Sequence, residues 1–206
     1  MPLTEGVKLA IIREVFEKGV FDAKKRMEIN GENGIFTISG LRSIIMGTLS
    51  FAILHEAAEK LAGKAGPAIL RAQGEESGRI EAEEGWRKNL EKFNLSFNLR
   101  TVLSTLPTIY AAVGWGKITT EGIDMETGEG TIIIKNCFEA DAILGMSGEK
   151  ETPQCHFVTG YLKGLLEGIT GGKFRVTEKK CRAAGDEYCE FEIKRQVQSG
   201  GSLVTP

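Results

Sequence analysis

Three of the chain's four cysteines, Cys155, Cys181 and Cys189, lie in one stretch from 155 to 193, and Glu178 stands three residues before the second of them. Thiolates and a carboxylate suit zinc, which takes four ligands in a tetrahedron, sulfur at about 2.3 Å and oxygen at about 2.0–2.2 Å. The expectation is that Cys155, Glu178, Cys181 and Cys189 hold a zinc ion that pins a β-hairpin to a helix. Spacing alone leaves a second reading open, three buried thiols without metal, because Cys-x7-Cys is not a zinc-knuckle spacing. His156 is the rival fourth ligand, but it adjoins Cys155, and neighbours on a helix point about 100° apart. Cys137 reads as a buried small hydrophobe away from this cluster.

The hairpin must bring these groups together. Placing Phe174 and Val176 of its first strand on one face with Phe191 and Ile193 of its second pairs Val176 with Phe191 and Phe174 with Ile193. Glu178 then falls opposite Cys189 on the inner face. A bulge near Cys181 would turn its sulfur inward. Cys155 opens the preceding helix, read from Pro153 to Thr170, with Phe157, Tyr161, Leu165 and Ile169 facing inward. Gly160, Gly164 and Gly168 stand four apart on it. They cost about 3 kcal/mol of helix propensity against alanine, which points to close backbone approach or to room for a ligand. A set of four protein ligands is closed, so such a zinc would be structural and would not activate water.

Upstream, residues 4 to 18 form an amphipathic helix capped by Thr4 and ended by Gly19, suited to packing on its own domain or to a dimer contact. Residues 20 to 33 are polar and run into the turn cluster Asn30 to Gly34. Ile35 to Ile38 is a short strand. Ser39 is expected to cap a long helix from Leu41 to about Lys64, apolar on nearly every face and therefore central to the core. Gly66-Pro67 breaks it. Residues 67 to 92 read as broken helical segments whose acidic run solvates a face. Residues 98 to 112 form an apolar helix with Pro107 inside. Gly114-Trp115-Gly116 opens a strand, Met125 to Gly130 is a turn, and Thr131 to Asn136 returns. Residues 137 to 144 are short and mixed. The tail from about Gln196 is polar.

Composition bounds the rest. The chain has 206 residues, 41% hydrophobic and 26% charged, as in an ordinary globular protein of one domain. Its formal charge of −2 gives no electrostatic footprint for nucleic acid. No apolar run reaches about 18 residues, and the N-terminus lacks a basic-then-apolar secretion pattern, so a cytoplasmic location is expected. With two histidines, no Ser/His/Asp pattern and no phosphate loop, no catalytic constellation emerges.

Cys155-x4-Gly160-Tyr161-x2-Gly164, followed by Glu178-x2-Cys181-x3-Gly185-Asp186-x2-Cys189-x-Phe191, resembles the signature of the 4-vinyl-reductase-type, or hydrocarbon-binding, domain. That family is similar in fold to the TRAPP tethering subunits and to the aromatic-sensing domains of bacterial regulators. The resemblance spans roughly residues 34 to 195. It implies an α/β (α+β) domain, an antiparallel sheet of hairpins against several helices, with an apolar ligand pocket between them. It also implies a zinc site at Cys155, Glu178, Cys181 and Cys189, and a homodimer. Residues 1–33 would then be an N-terminal helical extension, 34–195 the domain and 196–206 a flexible tail.

On this resemblance the expected function is a stand-alone binding or sensor protein for a small hydrophobic or aromatic ligand, acting through a separate effector protein. Apolar or orienting residues suggested for the pocket are Phe51, His55, Trp115, Phe138, Phe157 and Tyr161, each of which also suits plain core. The family name also suggests a reductase component acting on a vinyl-bearing tetrapyrrole precursor. No nicotinamide or flavin motif is recognisable, so catalysis is not expected. A structural or assembly subunit of the tethering type is the third alternative.

Overall fold

Alternating apolar residues set the main sheet. In the computed structural model, which describes residues 27–38 and 40–196, four strands pair antiparallel in the order β4-β5-β7-β6. These are β4 (Lys117–Ile123), β5 (Gly130–Lys135), β6 (Lys173–Lys180) and β7 (Cys189–Gln196). Ile132 and Ile134 on β5, and Phe191 and Ile193 on β7, are fully buried, while the residues between them are not. That alternation gives the sheet one core face. The helix α4 (Leu99–Ala112) packs on β4, and α6 (His156–Thr170) packs on β6. Asn98 caps α4 by accepting the Thr101 N–H at 2.9 Å. The expected α+β architecture is therefore present.

A smaller sheet precedes it, β1 (Met27–Asn30), β2 (Ile35–Ile38) and β3 (Leu41–Ser43), in that order. Residues 27–30, expected within the helical extension, thus form a strand whose pairing crosses the boundary drawn at residue 34. The expected helix from Leu41 is also corrected. Ile38 pairs with Leu41 across a tight turn in which Gly40 takes φ +83°, a left-handed conformation that favours glycine. Strand pairing claims Leu41–Ser43, and the helix α1 begins at Thr48 and ends at Ala62.

Nor is α1 central to the described fold. Phe51, Ala52 and His55 are buried, whereas Leu49, Ile53, Leu54 and Leu61 are exposed. It packs along one side, against α2 (Gly66–Ile80) and α5 (Phe138–Ser147), so its other apolar faces meet no described neighbour. A π-helical turn, Glu81–Arg87, continues α2 into the short α3 (Lys88–Lys92). Glu83 pairs with Arg87 at 2.6 Å and Glu84 with Lys88 at 2.5 Å, forming the solvated acidic face the sequence suggests. The N-terminal helix expected over residues 4 to 18 lies outside the described residues, as does the tail beyond Gln196. Among the described residues no helix is long and apolar enough to cross a membrane.

Candidate functional site

The hairpin β6–β7 builds the cysteine cluster. Val176 stands opposite Ile193 and Glu178 opposite Phe191, a shift of two residues from the expected pairs. A two-residue slip keeps every side chain on its face, so the apolar pattern cannot distinguish the two registers. The pairing then skips one residue on β6, between Glu178 and Lys180. This bulge changes the phase of the strand end just before Cys181. Cys189 begins β7, opposite Ile134 of β5. Cys155 is the residue before α6, at its N-cap.

One ligand atom from each of Cys155, Glu178, Cys181 and Cys189 lies within 4.8 Å of all the others, a group that can hold a metal ion. The Cys155 sulfur is 3.9 Å from that of Cys181 and 3.6 Å from that of Cys189, and the thiols are free. Tetrahedral thiolates about 2.3 Å from one ion would stand about 3.8 Å apart. The surroundings suit thiolates as well. The backbone N–H groups of Gln154 and Arg182 donate to the sulfurs of Cys181 and Cys189, each at 3.4 Å. Glu178 Oε2 accepts the Cys155 N–H at 2.9 Å, while Oε1 is buried and has no hydrogen-bond partner. Burial, reinforced by the Cys181 thiol, pushes the Glu178 carboxyl up to about 9. A buried carboxyl with no cation beside it holds its proton, and a bound cation reverses that preference.

Cys137 does not lie apart, and that expectation is corrected. Its sulfur is 3.8 Å from that of Cys155. The chain turns at Asn136, φ +53°, directly after β5, the strand that pairs with Cys189, and the turn returns Cys137 to the cluster. His156 points elsewhere. Its ring stacks on His55 with centroids 5.4 Å apart, and its Nδ1 lies 3.3 Å from the Arg71 guanidinium.

Sequence reasoning missed Glu139. This fully buried carboxylate on α5 accepts the Phe157 N–H at 2.9 Å and the Val158 N–H at 2.8 Å, and its Oε1 is 2.8 Å from His55 Nε2. It supplies from another helix the capping that Cys155, without a side-chain bond of that kind, does not give α6. His55 is thus held by Glu139. Glu139→Ala leaves two helix N–H groups and a buried imidazole without their acceptor, and is expected to cost about 3 kcal/mol. Urea denaturation read by circular dichroism checks this. A midpoint equal to that of the unaltered chain would refute the capping role.

Beside the start of α6 opens a cavity of about 410 Å³, lined by Trp115, Phe157, Tyr161, Tyr110, Ile109 and Glu81 among others. Trp115 meets Tyr161 with ring centroids 4.5 Å apart and Tyr110 at 4.9 Å. The hydroxyls of Tyr110 and Tyr161 are hydrogen-bonded to each other. Burial raises both above the ordinary tyrosine range, so both stay protonated. Of the suggested pocket residues, Trp115, Phe157 and Tyr161 line this cavity. Phe51 and Phe138 form a second row, each edge-on to Phe157 and to one another.

The stretch that carries the cysteine cluster is also the one that known proteins share. Residues 131–195 match the model of the vinyl-4-reductase domain. An uncharacterized protein of Methanocaldococcus jannaschii is 36% identical over 70 residues, 34% of this chain and 38% of that protein. A second from the same organism is 40% identical over 48 residues, 22% of this chain and 21% of that protein. The chain thus spans well under half the length of these curated relatives.

Three solved structures share the fold. The phenol-responsive sensory domain of the transcription activator PoxR, solved with phenol, has a TM-score of 0.73 at 19% identity, over 87% of this chain and 90% of that one. A vinyl-4-reductase family protein from Methanocaldococcus jannaschii has a TM-score of 0.53 at 18% identity, over 96% and 99%. A trafficking protein particle complex subunit 3 from Naegleria fowleri, covalently bound to palmitic acid, has a TM-score of 0.52 at 15% identity, over 73% and 95%. The resemblance read from the cysteine motif is thereby matched both in the domain family and in the fold.

Proposed function

We propose that this chain is a binding or sensor domain for a small hydrophobic or aromatic ligand, built around a structural zinc site. The observation that carries the reading is the cavity of about 410 Å³ walled by Trp115, Tyr110, Phe157 and Tyr161. That volume suits a small organic molecule. Burying such a molecule is favoured by about 25 cal/mol per Å² of apolar area. Support comes from the fold neighbours: one senses phenol, and another carries palmitic acid.

The donor set fits zinc. Three thiols and a carboxylate with an unpartnered buried oxygen fill four positions, so the ion's work is to join the start of α6 to both strands of the hairpin. Ligand binding next to α6 would be reported through a partner. The exposed apolar residues of α1, with Ile44 and Ile45 before it, suit a homodimer or an effector.

Native mass spectrometry after gentle purification tests the reading. The expected result is a mass increment, released by denaturation, that matches a lipid or aromatic compound, and its loss on Ile109→Trp, which fills the cavity. A chain that carries no ligand and binds none of a panel of phenols and fatty acids would overturn it.

A further inference from the structure

Glu81 is out of place in an aromatic cavity. Its neighbours Glu83 and Glu84 face solvent and pair with Arg87 and Lys88. Glu81 instead lines the cavity with Tyr110, Trp115, Phe157 and Tyr161. It makes no hydrogen bond or ion pair among the described residues, and burial lifts its carboxyl above the usual range. The lining contains no lysine, arginine or histidine to neutralise it.

The backbone keeps room for this carboxylate. Glu81 opens the π-helical turn, and Gly85 follows one turn later. A Cβ on Gly85 would come within 2.3 Å of Glu81 Oε1, so the missing side chain is the seat in which the carboxylate rests. A π turn interrupting an α-helix is costly and is commonly found at functional sites. Here it sets a carboxylate over a glycine at the cavity wall.

We infer that the cavity selects an organic cation, an aromatic or aliphatic amine whose ammonium group pairs with Glu81 while its apolar body lies among the rings of Tyr110, Trp115, Phe157 and Tyr161. This rests on the reading of the cavity as a ligand site and names the ligand's charge. Aromatic faces attract cations through the ring quadrupole, and the attraction grows when water is excluded. A carboxylate at the same site adds a charge-assisted hydrogen bond. An anion would meet only repulsion from Glu81. A neutral alcohol would leave the carboxylate without its counter-charge.

The test is calorimetric titration of the full chain with three probes of one shape: benzylamine, benzyl alcohol and benzoate. Benzylamine is expected to bind at least about tenfold more tightly than benzyl alcohol, with benzoate undetectable. Glu81→Gln should bring the amine and the alcohol to within about threefold of each other by weakening the amine. Glu81→Asp, which retracts the charge by one methylene, should lose part of the preference and guards against a folding defect in the first variant. Alcohol or benzoate binding as tightly as the amine, or a preference intact in Glu81→Gln, overturns the inference and leaves the cavity as a ligand site. No binding by any probe overturns both.

Discussion

Gly164→Ala is expected to cost about 4 kcal/mol or more, and Gly164→Val to prevent folding. A Cβ at Gly164 would lie 1.8 Å from the Glu75 carbonyl oxygen, and one at Gly160 would lie 2.0 Å from that of Arg71. The contact is reciprocal. A Cβ at Gly74 would meet the Phe157 carbonyl at 2.1 Å, and one at Gly78 would meet that of Tyr161 at 2.2 Å. Helices α2 and α6 therefore touch backbone to backbone, glycine against carbonyl on both sides. Backbone cannot rotate aside as a side chain can, so an added methyl must part the helices. The gain in helix propensity, about 1 kcal/mol, falls well short of that cost.

Gly145→Ala is the internal control. Gly145 lies inside α5 with nothing within 4 Å of a would-be Cβ, so alanine there is expected to be neutral or stabilising by up to about 1 kcal/mol. Urea midpoints for the two variants should move in opposite directions. A Gly164→Ala midpoint at or above that of the unaltered chain would show that the crossing tolerates a methyl and that the packing argument is wrong. The same crossing fixes Phe157 and Tyr161 against the cavity, so any Gly164 variant that does fold should also bind ligand more weakly.

The glycine stripe was legible because its cost is local: glycine four residues apart inside a helix is unfavourable unless something comes close. The cysteine group was legible for a similar reason, since few arrangements use three thiols and a carboxylate at that spacing. What escaped depends on residues distant in sequence. Cys137 joins the cluster because β5 pairs with β7, a contact that its own neighbours do not announce. Glu139 looks like any helical glutamate until α5 meets the start of α6. The register of β6 against β7 slipped by two because period-2 patterning is blind to even shifts. The helix expected from Leu41 failed on Gly40, whose turn gives Leu41–Ser43 to a strand. Glu81 was hidden in an acidic run whose other members do face solvent, and its direction is set by a π turn that no local pattern signals.

Removing the proposed zinc is expected to have an effect at least as large as the glycine substitutions. Elemental analysis should give about one zinc per chain, and the double variant Cys181→Ser with Cys189→Ser should hold none. Chelation should lower stability by about 5 kcal/mol or more, since binding to a site absent from the unfolded chain is folding free energy. The site joins the start of α6, the end of β6 and the start of β7, while Glu178 brings a buried oxygen that nothing else in the structure satisfies. Without a cation, that carboxyl and three buried thiols must stay protonated side by side, and their attraction for a shared ion is lost. Cys137→Ala separates the ligand set from its neighbour. Its sulfur is near that of Cys155 but stands outside the group whose ligand atoms all lie within 4.8 Å of one another, so this variant should keep its zinc. Zinc retained in the double variant, or lost equally in Cys137→Ala, would show that the four residues are not the ligands. If the assignment holds, Glu178→Gln should weaken zinc binding without abolishing it, because three thiolates and the hairpin geometry persist while the charge that balances the fourth position is gone.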